Sequence, residues 1–197
     1  MNHLAHFFLA AESGELLVGG FLGDFVKGQL KGERCTAIEN GIRLHRAIDA
    51  YTDKHEITRI SQKRYEKRFR RFSSIMTDVI FDHFLAVRWR EYHSDELYTF
   101  SNSTFSTLSQ NREHLPPNAI KAFERMQCSN VLLKYRDPEF VDRTFRYLSG
   151  RLRRDNPLAE AYEQFLVNRD KLDSDFIEFF PELTHFTNEW IANSNGH

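Results

Sequence analysis

At 197 residues the chain has the length of one domain with a substantial core, and 28% charged residues at a net charge of -1 argue against a general nucleic-acid binder. Eighteen Phe against five Pro and nine Gly favour a helical protein with a phenylalanine-rich interior. Cys35 and Cys128 stand far apart without CxxC spacing, which gives neither a thiolate zinc motif nor a disulfide framework and fits a reducing cytoplasm.

The chain opens on an apolar stretch, Phe7-Phe8-Leu9-Ala10-Ala11, that lacks a basic lead, carries His3 and His6 before it, and runs into Glu12 and Glu15. A leader peptide is therefore not expected, and no apolar run approaches the roughly 20 residues needed to cross a bilayer. The expected setting is the cytoplasm, with no membrane partner. Asn2 is placed to cap a first short helix. Residues 14–32 hold Gly14, Gly19, Gly20, Gly23, Gly28 and Gly32, a density that predicts bends and close backbone approach. Helical periodicity then predicts helices over about 37–54, 57–72 and 74–93. Residues 101–118, rich in Ser, Thr and Asn and closed by Pro116-Pro117, predict a loop or short helix. Asp137-Pro138 and Asn156-Pro157 each combine an Asx cap with Pro at the first helical position, predicting helices over about 138–154 and 157–172. A last segment over about 174–193 should be kinked or split by Pro181. No strand pattern competes, so the fold class is all-α.

Two of these helices carry unusual chemistry. At about 100° per residue, His45 and Asp49 stand about 40° apart on one helix, and Asp78 and Asp82 do so on another. Imidazole and carboxylate from two facing helices form a divalent-metal site in an all-helical protein. The same residues also serve as plain surface groups, as Arg46 and Asp49 would in an i,i+3 ion pair. His83 follows Asp82 by about 100° of arc and would ligate or orient a neighbour. Asp53 extends the acidic stripe, and His55 is a weaker candidate near the helix end. Gly23-Asp24-Phe25 adds a carboxylate on a backbone of little bulk, equally suited to an Asx turn. His6 lies on an apolar segment, where a lone histidine is more often a satisfied core residue than a ligand. A set of His and Asp without thiolate suits Mn²⁺, Fe²⁺ or Mg²⁺, and such an ion polarises phosphoryl oxygens. Arg43 and Arg46, flanking His45, are candidates for holding phosphate oxygens.

Arg59, Lys63, Arg64, Lys67, Arg68, Arg70 and Arg71 are interrupted by one acid, Glu66. This local asymmetry is compatible with a solvated face, with nucleic acid, or with an acidic protein partner. There is no phosphate-binding Gly-rich loop with Lys-Ser/Thr and no GxSxG elbow. A metal phosphohydrolase of a nucleotide or small phosphoester, and a non-enzymatic helical module binding RNA or an acidic protein, both remain open on the residues alone.

Four ordered blocks carry a resemblance. Met1-Asn2-x-Leu4-Ala5-His6, Gly20-x-x-Gly23-Asp24-Phe25-Val26-Lys27-Gly28, Gly41-Ile42-x-Leu44-His45-Arg46-x-Ile48-Asp49-x-x-Thr52-Asp53-x-His55 and Asp78-x-x-x-Asp82-His83-x-Leu85 resemble the acyl carrier protein phosphodiesterase family. The resemblance implies a compact single-domain multi-helix bundle over 1–197, a divergent relative of the His-Asp metal phosphohydrolases. It implies hydrolysis of the bond between 4′-phosphopantetheine and the serine of holo acyl carrier protein, with a divalent metal, typically Mn²⁺. Asp24, His45, Asp49, Asp82 and His83 match the family's catalytic and metal-binding elements, with His6 and Asp78 as further candidates. Substrate contacts would fall to Arg43 and Arg46 at the phosphate, and to Arg64, Lys67, Arg68 and Arg71 against an acidic carrier protein. Nucleic acid is not expected as a partner, and the last third of the chain carries no assignable motif.

Overall fold

The computed structural model describes residues 1–194, and all its regular structure is helical. The α-helices are α1 (His3–Leu9), α2 (Gly14–Leu22), α3 (Thr36–Lys54), α4 (Glu56–Lys63), α5 (Ser73–Val87), α6 (Trp89–Tyr92), α7 (Leu97–Gln110), α8 (Pro117–Cys128), α9 (Val131–Lys134), α10 (Pro138–Arg151) and α11 (Ala161–Ser194). Short 3-10 turns occupy Lys67–Phe72, Arg112–His114 and Leu158–Glu160.

Side-chain caps explain three of the starts. Asn2 accepts from the His3 N–H at 3.0 Å, Ser13 accepts from Leu16 N–H at 3.1 Å, and Asp137 accepts from Glu139 N–H at 2.9 Å, each relieving an orphan donor. The glycine-rich stretch divides in two. Its first half is α2, whose Gly19 lets α3 come close: a Cβ there would lie 2.6 Å from the Gly41 Cα. Its second half is the irregular segment 24–35, where Gly28 and Gly32 take φ of 79° and 74°.

Several predicted boundaries differ from the observed ones. The helix expected over 57–72 ends at Lys63, and the chain tightens into the 3-10 turn Lys67–Phe72. That turn buries Phe69 and lets the buried Tyr65 hydroxyl meet Thr77 Oγ1 at 3.2 Å, while seven cations avoid stacking along one helix. The helix expected over 74–93 breaks at Arg88, whose guanidinium grips Asp173 at 2.8 and 2.6 Å. Of the loop or short helix expected over 101–118, the structure has helix as far as Gln110, longer than expected. The stretch holds most of α7, because Phe100, Thr104 and Leu108, with Leu97, Ser101 and Phe105, form a buried stripe at helical spacing that overrides Ser/Thr composition. Pro116-Pro117 opens α8 as cap and first helical residue rather than closing a loop. The two helices expected around 157–172 and 174–193 are one, α11, which Pro181 does not split. A missing hydrogen bond and ring clash cost about 3 kcal/mol. Phe176, Phe179, Phe180 and Leu183 are fully buried around that proline, and each such side chain contributes about 1.5–3 kcal/mol.

The centre of the fold is the aromatic layer between α5 and α11. Phe81 meets Phe176 edge-on at 5.5 Å, and Phe176 stacks on Phe180 at 5.1 Å. Helices α1, α2 and α3 pack on one flank of this layer; α1 lies against α2 and α5 and reaches α3 through His6.

Candidate metal centre

Helix α3 supplies His45 and Asp49, one turn apart and on one face as their spacing requires. Helix α1 brings His6 against them. The His6 and His45 rings stack at 3.9 Å with 19° between planes, and both point Nε2 at the Asp49 carboxylate. His6 Nε2 lies 3.1 Å from Asp49 Oδ1, and His45 Nε2 lies 3.2 Å from Asp49 Oδ2. One ligand atom from each of these three residues falls within 4.8 Å of the others. Burial pushes the His6 imidazole down to about 4, so at neutral pH it is uncharged and keeps a lone pair for an acceptor role. Burial would push the Asp49 carboxyl up, but hydrogen bonds from His45 and His6 outweigh it and hold the group well below the usual carboxylate range. The Nδ1 atoms of both rings are buried without a partner.

The group opens to solvent on one side, through the carboxylates. Asp49 is 45% exposed and Asp24 is 46% exposed. Asp24 Oδ1 stands 3.8 Å from His45 Nε2, and Asp24 Oδ2 stands 3.6 Å from His3 Nδ1. The neighbour of Asp24 explains this approach. Gly23 has ordinary right-handed helical backbone, but a Cβ on it would sit 2.6 Å from His45 Cβ and closer still to the ring. The glycine supplies space rather than conformational freedom.

Behind the triad α5 carries two acids, the buried Asp82 and the half-buried Asp78. Asp82 is fully buried and accepts from the Leu4 N–H at 2.7 Å and the Ala5 N–H at 3.3 Å, so it anchors the start of α1 and with it His6. Burial pushes its carboxyl up to about 7 although those two N–H groups act in the other direction. Asp78, one turn earlier, lies 3.0 Å from the Met1 α-amino nitrogen, which is also 3.7 Å from Asp49.

The structure thus brings together His6, His45 and Asp49 with Asp24 at their edge, and places the remaining expected residues elsewhere. Asp82 reaches the group only through the backbone of α1. His83, about 100° round α5, turns away: its Nδ1 donates to the Tyr135 carbonyl at 2.7 Å and its ring meets Phe165 edge-on at 5.3 Å. Asp53 faces Ser74, and His55 faces Glu182. Arg43 lies along its own helix on Glu39 and Asn40. Arg46 gives Nη2 to the Val26 carbonyl at 2.9 Å, which ties the segment after Asp24 to α3. Arg64 forks onto Asp175 at 2.7 Å through two nitrogens, and Arg68 bonds Glu66 and Glu160. Lys67 and Arg71 are exposed. His3 and the Met1 amine were not among the expected residues; the i,i+3 spacing of His3 and His6 is the only sequence signal for the first.

No helix among the described residues is long and apolar enough to cross a membrane. No solved structure matches the chain. The curated relatives do match along almost its whole length. A protein of Klebsiella pneumoniae named acyl carrier protein phosphodiesterase is 28% identical over 184 residues, covering 93% of this chain and 95% of the relative. Proteins of the same name from Photorhabdus laumondii and Escherichia coli are 29% identical over 191 residues and 28% identical over 187 residues, each covering 93% of this chain and, respectively, 93% and 95% of the relative. The sequence profile described as "Acyl carrier protein phosphodiesterase" matches residues 1–183, which takes in every side chain of the candidate centre, and the chain belongs to that family.

Proposed function

We propose that this protein hydrolyses the phosphodiester linking 4′-phosphopantetheine to the serine of holo acyl carrier protein, and that His6, His45, Asp49 and Asp24 hold the divalent cation the reaction uses. The observation that carries the reading is the convergence of two imidazoles and a carboxylate within 4.8 Å, beside a solvent-open edge, in a chain of this family. The donor set supports a metal on its own chemistry. Two imidazole nitrogens and one or two carboxylates, without thiolate, suit Mn²⁺ or Fe²⁺, with Mg²⁺ the oxygen-preferring alternative. When bound, such an ion would supply Lewis-acid polarisation of the phosphoryl group and a more acidic water.

The chain's own residues do the rest. Asp49 faces both Nε2 positions and so holds the two rings toward one point, where those nitrogens would ligate the ion in place of their contact with the carboxylate. Asp82 fixes α1 by capping it, which sets the height of His6 above α3. Asp24, at the exposed edge, is placed to take a hydrogen bond from the attacking water. Arg46 keeps nitrogens beyond the one on Val26 for phosphoryl oxygens, where charge develops as the serine oxygen leaves. Asp78 and His83 support this arrangement by packing rather than by contact with substrate.

Incubating the protein with holo acyl carrier protein and Mn²⁺, and weighing the carrier by mass spectrometry, tests the reading. The expected result is apo carrier protein and free 4′-phosphopantetheine. Carrier protein left intact with Mn²⁺, Fe²⁺ and Mg²⁺ alike would refute it.

A further inference from the structure

We infer that the 3-10 turn Lys67–Phe72, together with the first turn of α5, is the docking surface for an acidic patch of the carrier protein. The inference rests on the function proposed above, because a scissile bond at the carrier's own serine requires the carrier's surface to reach the opening of the centre.

Placement is the first argument. Helix α3 leaves the centre from Asp49 to Asp53, while α5 enters it from Ser74 to Asp78. The Asp53 carboxylate accepts from the Ser74 hydroxyl at 3.4 Å, and the Met1 amine spans Asp78 and Asp49. At about 1.5 Å per helical residue and about 2.0 Å per 3-10 residue, Arg71 lies about 10–12 Å along the chain axis from Asp78. Asp53 stands one turn, about 6 Å, beyond the exposed Asp49 on α3, so its contact with Ser74 sets the start of α5 and the turn before it beside the opening.

Charge is the second argument. Of the seven cations between Arg59 and Arg71, Arg64 is committed to Asp175 and Arg68 to Glu66 and Glu160. Lys67, Arg70 and Arg71 are exposed and form no ion pair among the described residues. Elsewhere Arg88, Arg112, Arg143 and Arg146 each meet a carboxylate. In a chain of net charge -1, a bordering cluster without counter-charge is complementary to an acidic surface. Ile75 is 38% exposed directly beyond this cluster and gives it an apolar spot inside a charged rim.

The turn is also held still. Phe69 is fully buried beneath it, and the Arg64 and Arg68 bridges tie its flanks to α11 and to the Leu158–Glu160 turn. Nucleic acid fits less well than protein. Of the aromatic residues that would stack bases beside these cations, Tyr65 and Phe69 are buried at 3% and 0% exposure, and Phe72 packs against the core.

The test measures binding of fluorescently labelled apo carrier protein by anisotropy, a readout independent of turnover. Lys67→Glu/Arg70→Glu/Arg71→Glu should weaken binding about tenfold or more and flatten its salt dependence, since electrostatic steering is worth about 10- to 1,000-fold and is screened beyond about 8 Å. The milder triple alanine variant, with an unchanged melting curve, should weaken binding in the same direction. Reversing Arg151, Arg153 and Arg154, a second exposed basic cluster, should change binding less than twofold, about the scatter of a rim-charge effect. Equal affinity of the Lys67/Arg70/Arg71 variants and wild type overturns the inference, as does a loss confined to the Arg151 cluster. Dependence on these residues for a single-stranded RNA but not for the carrier overturns it as well. Prosthetic-arm release by wild type is scored separately, so failed chemistry and failed docking give different results.

Discussion

Replacing Gly23 by Ala should damage the centre far more than the fold. The backbone at Gly23 has φ -53° and ψ -34°, which any residue adopts, so the change carries no conformational penalty. Restricting the unfolded chain would stabilise the protein by about 0.4–1 kcal/mol. Against this, the new methyl lands 2.6 Å from His45 Cβ and closer still to its ring, where ordinary contact begins at 3.4 Å, so the ring must move by about 1 Å or more. Overpacking of this kind costs about 1–3 kcal/mol. The net loss of stability is then about 0–2.5 kcal/mol, a fall in melting temperature of up to about 10 °C for a chain of this size. The chemistry is less forgiving. Moving the His45 ring or the Asp24 carboxylate by about 1 Å costs about 100-fold in rate, and ligand displacement costs about 10–100-fold in metal affinity. Urea melts, Mn²⁺ titration by calorimetry and kcat/KM on holo carrier protein separate the two effects. Gly150→Ala is the control, because a Cβ there meets nothing within 4 Å. If Gly23→Ala kept Mn²⁺ affinity and kcat/KM within about threefold of wild type, the contact between Gly23 and His45 would not be what holds the centre in shape.

Three further outcomes are expected. In metal-free protein, the unfolded chain takes up the His6 proton near 6.5 but the folded chain only near 4, so stability should rise with pH across that window by about 3 kcal/mol, and His6→Gln should flatten the rise in urea melts between pH 4.5 and 6.5. Asp82→Ala leaves the Leu4 and Ala5 N–H groups buried without an acceptor and should cost about 2–5 kcal/mol, whereas Asp82→Asn keeps one acceptor and should cost less. The Asp82 carboxyl titrates near 7 when folded and 3.8 when unfolded, so its contribution falls as pH rises from about 4 and is gone above about 7; the melting temperature of Asp82→Asn should therefore gain on wild type between pH 4 and 7, and parallel curves would refute that origin. Adding Mn²⁺ in about hundredfold excess over its dissociation constant should stabilise the chelator-treated protein by about 2.7 kcal/mol, and His45→Ala should abolish the shift.

The sequence by itself determined the helical class, the caps at Asn2 and Asp137, and the pairing of His45 with Asp49, because each depends only on neighbours within one turn of chain. It also marked Gly23-Asp24 as a place of close approach. Tertiary structure decided the rest. His6, a lone histidine on an apolar segment, becomes a partner of Asp49 only because Asp82, from the distant α5, caps α1 and sets it against α3. The same contact commits Asp82 to the α1 backbone rather than to the imidazoles, and helical geometry turns the adjacent His83 toward Tyr135. Arg64 and Arg68 read alike with Lys67 and Arg71 in a charge run, yet Asp175 and Glu160, 111 and 92 residues on, hold the first two in ion pairs. Helix α11 passes through Pro181 because the buried phenylalanines around it outweigh one lost hydrogen bond. Periodicity reports which face of a helix is apolar; which partner that face meets is a long-range contact, and long-range contacts placed every one of these side chains.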